Sequence, residues 1–220
     1  MSDGAVSELS RTILDYWFSS LDDAAALDRE AEPFRTCFAR WYGKRREIDD
    51  EIRTLFEPAL KAVTREGRDW DRKLDEWRRA SNGLLALVIV LDQFPRNMYR
   101  DSPGMYAHDP LGLIVASAAI REYEDAPLAL VQRMFLYVPL MHAENLTLQQ
   151  TMVRRFEGLV ELAAARSPQN SGFFEFALDY ARRHLDVIER FGRFPHRNEI
   201  LGRRSTPEEL QFLERDDSRF

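Results

Sequence analysis

The feature that most constrains this chain is the run Leu84-Leu85-Ala86-Leu87-Val88-Ile89-Val90-Leu91, which is apolar on every side of any helix it forms. A segment with no polar face has to be enclosed by other segments. It is far shorter than the roughly 20 residues a membrane helix needs. It therefore reads as a helix buried in a core, and no membrane partner is expected.

The rest of the chain supplies helices to enclose it. Val6, Leu9, Ile13, Trp17 and Leu21 step by three and four, as do Phe34, Cys37 or Phe38, and Trp41, and then Ile48, Ile52, Leu55 or Phe56, Ala59 and Val63. Strand alternation does not recur. Ser102-Pro103 and Asp109-Pro110 each place a capping side chain before a proline at a first helical position. Thr206-Pro207-Glu208-Glu209 does the same and adds a capping box. Stops are expected at Phe94-Pro95, Arg166-Ser167-Pro168 and Phe191-Gly192, and a break at Pro139 that leaves His142 and Glu144 at the next helix start. The expected fold is all-α: a compact bundle or short α-solenoid of about eight to ten helices with short connections, one domain over residues 1–220.

Charge narrows the classes of function. The formal net charge is −6, and residues 1–32 carry all of it, so the remainder balances to zero. Within that remainder, residues 190–204 hold Arg190, Arg193, Arg197, Arg203 and Arg204 against Glu199 alone. Overall acidity argues against a nucleic-acid partner, while a local basic loop suits one small anion. Cys37 is the single cysteine, so there is no intramolecular disulfide or thiolate cluster. Met1–Ala5 shows neither a basic nor an apolar leader region, and a cytoplasmic location is expected. No glycine-rich phosphate loop, nucleophile elbow or His-Glu-x-x-His pair is present, and no cofactor and no metal are expected.

Two segments share a pattern. Asp92-Gln93-Phe94-Pro95-Arg96-Asn97 ends the buried helix, and Arg193-Phe194-Pro195-His196-Arg197-Asn198 follows a later one. Helix punctuation accounts for the prolines, with Phe as a core plug and Arg and Asn on the orphan carbonyls. The alternative is a pair of donor-rich corners facing one pocket, in which Arg96, Asn97, Arg100, Arg193, Arg197 and Asn198 bind a ligand. Asp92 follows eight apolar residues and must be paired, with an arginine such as Arg96, Arg100 or one from residues 190–204 as the expected partner. His184 is the polar member of the apolar seam Phe173, Ala177, Tyr180, Val187 and Phe191. It is either a core histidine bonded to one carbonyl or carboxylate, or a histidine directed into a cavity. His142, Glu144, His184, His196 and Asp92 are the candidates for acid–base chemistry. Cys37, on a face with Phe34, Phe38 and Trp41, reads as a small buried hydrophobe rather than a nucleophile.

Leu-Asp-Gln-Phe-Pro-Arg-Asn at 91–97, His-Ala-Glu at 142–144 and Phe-Gly-Arg-Phe-Pro-His-Arg-Asn-Glu-Ile-Leu-Gly-Arg at 191–203 resemble the bacterial domain-of-unknown-function family number nine hundred and twenty-four. Tyr16-Trp17-Phe18 and Ser205-Thr206-Pro207-Glu208-Glu209 fit it as well. The resemblance implies a helical, tetratricopeptide-like fold and lends no activity. Where that family has His-Ser-Glu, this chain has His142-Ala143-Glu144, which speaks against serine as a nucleophile. Two readings stand: an interaction or ligand-binding module with an internal Arg/His-rich site for a small anion or a peptide, and an enzyme acting on a small anionic metabolite. Motif residues meeting in a closed pocket would favour chemistry; exposed aromatics along a groove would favour a peptide.

Overall fold

Enclosing the apolar run takes helices on several sides, and the computed structural model supplies them. It describes residues 3–65, 70–122 and 125–215; Met1 and Ser2 of the N-terminal segment read above lie outside that range. In chain order the elements are α1 (Asp3–Phe18), α2 (Phe34–Tyr42), α3 (Arg46–Thr64), α4 (Trp70–Arg78), α5 (Gly83–Val88), a π-helical turn (Ile89–Gln93), α6 (Phe94–Met98), α7 (Asp109–Arg121), α8 (Leu130–Met141), α9 (Leu146–Arg166), α10 (Ser171–Phe191) and α11 (Pro207–Leu213). Short 3-10 turns at Pro103–Tyr106, Pro168–Asn170 and Pro195–Arg197 join some of them. The fold is all-helical, with no strand among the described residues. From α7 to α10, each helix packs on the next.

The run at 84–91 is buried along its length, with α1, α4, α7 and α8 against α5. The helix stop expected at Phe94-Pro95 does not occur. In an α-helix, the ring of Pro95 would collide with the carbonyl of Leu91. Here the turn widens instead: the N–H of Phe94 donates to the carbonyl of Ile89, five residues back, and the chain continues into α6. Phe94 stacks on Phe56 at 4.5 Å and meets Trp17 edge-on at 5.5 Å, so aromatic packing fixes the widened turn from α1 and α3.

Pro139 does not break its helix either. It sits inside α8, which runs on to Met141 and leaves His142 as its C-terminal cap rather than at the next helix start. The Ser102 hydroxyl caps no helical N–H and donates to the Tyr99 carbonyl at 2.6 Å. Asp109 is the first residue of α7, with His108 in the cap position, because its carboxylate is held by Arg96. The capping box at Thr206 and Glu209 is formed, and Gly192 ends α10 at φ +68°.

Gly112 lets α7 approach the π turn: a Cβ there would lie 3.3 Å from the Cβ of Asp92 and 3.7 Å from that of Leu91. Gly112→Val should therefore push α7 off the turn and lower stability by about 1–3 kcal/mol, the usual range for overpacking. A melting temperature equal to that of the wild type would contradict this contact.

Candidate functional site

The π turn delivers Asp92 to a position with no solvent exposure, and His142 meets it from the end of α8. His142 Nδ1 lies 2.8 and 3.0 Å from the two Asp92 oxygens, Gln93 Nε2 donates at 2.6 Å, and Arg96 Nη1 is 3.5 Å away. Arg96, one of the arginines expected to pair with Asp92, is present at 3.5 Å, but Gln93 and His142 make the hydrogen bonds to the carboxylate. Burial alone would raise the Asp92 pKa, but the Arg96 charge and the hydrogen bonds from His142 and Gln93 outweigh it and hold the carboxyl below its usual range. An ionised carboxylate only accepts hydrogen bonds, so the proton of the imidazole is on Nδ1 and the lone pair on Nε2. Burial, then the Arg96 charge, pushes the His142 pKa down against the pull of Asp92, which keeps the ring neutral at pH 7.

Asp109 joins the two Phe-Pro corners. Arg96 grips it with both terminal nitrogens, at 2.9 and 3.0 Å, and Arg197 Nη1 approaches it at 3.5 Å. Arg197 comes from the 3-10 turn at Pro195–Arg197, with its side chain 8 % exposed and its guanidinium 4.4 Å from the Phe194 ring and 4.7 Å from the Tyr106 ring. Its Nε has no hydrogen-bond partner among the described residues. Burial, then the neighbouring Arg96 charge, lowers its pKa below the ordinary guanidinium value.

These residues border a cavity of about 410 Å³. His142, His184, His196, Arg96 and Arg197 line its buried end, and Phe38, Trp41, Phe135, Phe173 and Tyr180 are among its walls. Exposed Arg29, Tyr42, Lys44 and Phe176 border it as well and place its opening between α2 and α10. The lining carries phenols but no aliphatic hydroxyl and no thiol among the described residues.

The other sequence-derived candidates have different surroundings. His184 combines both readings made of it: Nδ1 contacts the Tyr180 carbonyl at 2.9 Å, and the ring lines the cavity, where burial depresses its pKa well below the ordinary value. His196 also lines it and is pushed down to about 3, first by burial and then by Arg197. Asn97 and Arg100 border the cavity, yet their polar groups are taken up by Asp49 of α3, at 2.9 Å and at 2.7 and 2.8 Å. Arg193 and Asn198 do not line it; both bind Glu209 of α11. Glu144 is outside too, accepting from the Phe194 N–H at 2.8 Å and from Arg203 at 2.6 and 2.9 Å. Cys37 is buried away from the cavity, and burial raises its pKa, which disfavours the thiolate. No group of three or more potential metal ligands occurs among the described residues.

Sequence reasoning missed Asp109, Asp49, Gln93 and Tyr106, and it read the aromatic wall as helix core. One signal was available. The chain is neutral after residue 32, so its arginines had acids to meet, and three of the five at 190–204, Arg193, Arg197 and Arg203, meet Glu209, Asp109 and Glu144 in space.

Fold and site together define an all-helical protein with a carboxylate-supported histidine and a buried arginine at the inner end of an aromatic-walled cavity. Residues 13–217 match the family described as "Bacterial protein of unknown function (DUF924)", and the chain belongs to that family. It is similar to a solved structure of a protein of unknown function from Agrobacterium tumefaciens, with 34% sequence identity and a TM-score of 0.71 over 95% of this chain and 98% of that one. A comparison with curated proteins finds no match.

All four histidines have pKa values depressed by burial. The unfolded chain, with histidine near 6.5, therefore takes up protons first as the pH falls. The associated stability is complete above about pH 6.5 and lost below it, by up to about 1.4 kcal/mol per pH unit for each deeply buried ring. The melting temperature should fall steadily from pH 7 to pH 5, before ordinary carboxylates titrate. A flat or rising profile would contradict neutral buried histidines.

Proposed function

We propose that the protein binds a small amphipathic organic molecule in this cavity, with a carbonyl or carboxylate group at Arg197 and an apolar body against the aromatic wall. The observation that carries this is Arg197 itself: a guanidinium more than nine-tenths buried, lining the cavity, whose terminal nitrogens are met by Asp109 only at 3.5 Å. A buried donor left without a good partner costs about 1–3 kcal/mol, and a ligand oxygen at the terminal nitrogens would remove that cost. The volume falls in the range of about 300–1,000 Å³ typical of small-molecule sites, which favours a small ligand.

Charge selects among anions. Asp92 and Asp109 balance Arg96 and Arg197, and the three lining histidines are neutral, so the inner end has no net charge to spend on a dianion. A carboxylate or a neutral carbonyl fits better than phosphate. Arg29 and Lys44 at the opening would draw an anion inward. The acidic net charge supports the absence of a nucleic-acid partner, the buried thiol of Cys37 suits a cytoplasmic setting, and the main core, with its satellite around Phe194, suits one domain. The row of helices from α7 to α10 is in keeping with a tetratricopeptide-like arrangement. No helix among the described residues is long and apolar enough to cross a membrane.

Phenylacetate and octanoate should raise the melting temperature more than acetate or inorganic phosphate at equal ionic strength. At 100 times the dissociation constant the gain is about 2.7 kcal/mol. Arg197→Met, which keeps the apolar stem over Phe194, should lose this gain. Equal stabilisation of wild type and Arg197→Met would contradict a ligand held by Arg197.

A further inference from the structure

We propose that the cavity is a hydrolytic active site for small amphipathic carboxylic esters, in which His142 Nε2 is the general base that activates water. This rests on reading the cavity as a ligand site and adds a reaction to it. Three observations carry it. His142 lines the cavity while its Nδ1–H is tied to the fully buried Asp92, so the ring is fixed in orientation and tautomer with its basic nitrogen uncommitted by any hydrogen bond among the described residues. Among the described residues the lining offers no serine, threonine or cysteine, and Ala143 follows the histidine, so an acyl intermediate on an aliphatic hydroxyl or a thiol has no carrier there. The guanidinium of Arg197 lines the same cavity with its terminal nitrogens met by Asp109 only at 3.5 Å, which suits the single negative charge that develops on an acyl oxygen.

In the first step, water attacks the ester carbonyl carbon and gives a proton to His142 Nε2. A C–O bond forms, the carbonyl π electrons move to oxygen, and that oxyanion faces Arg197. In the second, the oxyanion re-forms the carbonyl, the bond to the alkoxy oxygen breaks, and the proton on Nε2 passes to that oxygen. The products are an acid and an alcohol; one water is consumed, His142 returns to its neutral form, and no oxidant is needed. Asp92 is a positioning residue that holds the tautomer and stabilises the transient imidazolium. Neutrality of the inner end favours a neutral ester carbonyl over a phosphoester dianion.

The test uses the full chain and three probes: the 4-nitrophenyl esters of butyric, octanoic and phenylacetic acid, with 4-nitrophenyl phosphate as control. The wild type should cleave the esters and not the phosphate, with linear progress curves and no burst of nitrophenol. His142→Gln should lose 10²–10⁴-fold in kcat/KM, the usual contribution of a general base. Asp92→Asn should lower kcat with KM little changed and shift the acid limb of the pH–rate profile. A purely structural role would not produce that shift. Melting temperatures of both variants, with and without phenylacetate, separate folding and binding from catalysis. Stabilisation by phenylacetate without ester turnover above the buffer rate overturns the hydrolytic reading and leaves the binding reading intact. Equal rates for wild type and folded His142→Gln overturn it as well, and loss of both binding and turnover in the wild type overturns both.

Discussion

The structure depends on a carboxylate that has no solvent to rely on. Asp92 is fully buried behind eight apolar residues, and an isolated charge there would be prohibitive. It survives because His142, Gln93 and Arg96 converge on it, and each comes with conditions of its own. His142 requires α8 to run past Pro139, Arg96 requires the chain to continue past Pro95, and the two together bind the ends of helices distant in sequence. The widened turn at Ile89–Gln93 is what reconciles Pro95 with an unbroken rod, so the residue that reads as a stop sets the register of the site.

Around that centre, arginines are used in pairs with acids rather than as a free basic patch. Arg96 and Arg197 share Asp109, Arg100 and Asn97 share Asp49, Arg193 and Asn198 share Glu209, and Arg203 holds Glu144. Each cluster joins one Phe-Pro corner to a different helix or loop. Removing one partner from such a buried cluster strands the other charge, which explains why the motifs are dense in donors and acids alike. Arg197 stands apart because it shares its acid with a better-placed rival and keeps a donor over.

Much of this was legible in the residues. The apolar run, the three-and-four stripes and the capping box at Thr206 are local signals, and each corresponds to an observed element. Of the corners at 94–97 and 193–198, Arg96 and Arg197 share Asp109 while Arg193 and Asn198 turn to Glu209, and His184 was marked by its place in an apolar seam. What was not legible depended on tertiary contact. Pro95 and Pro139 are tolerated because surrounding packing compensates for lost backbone bonds. Asp109 looked like a cap until Arg96 claimed it, and Phe38 and Trp41 follow a core stripe whose far side faces a cavity rather than a neighbour. Periodicity reports that a face is covered, not whether side chains or empty space lie beyond it.

Asp92 fixes the cavity-lining His142 through Nδ1 and leaves Nε2 as the basic nitrogen of a neutral ring. Two-bond nitrogen–proton correlation spectra of the histidine rings, recorded from pH 5 to pH 8 and assigned with His142→Gln, test this directly. The account predicts a His142 ring that is Nδ1-protonated at pH 7, with a titration midpoint below 6.5. An Nε2-protonated ring, or one that is already an imidazolium at pH 7, would contradict it.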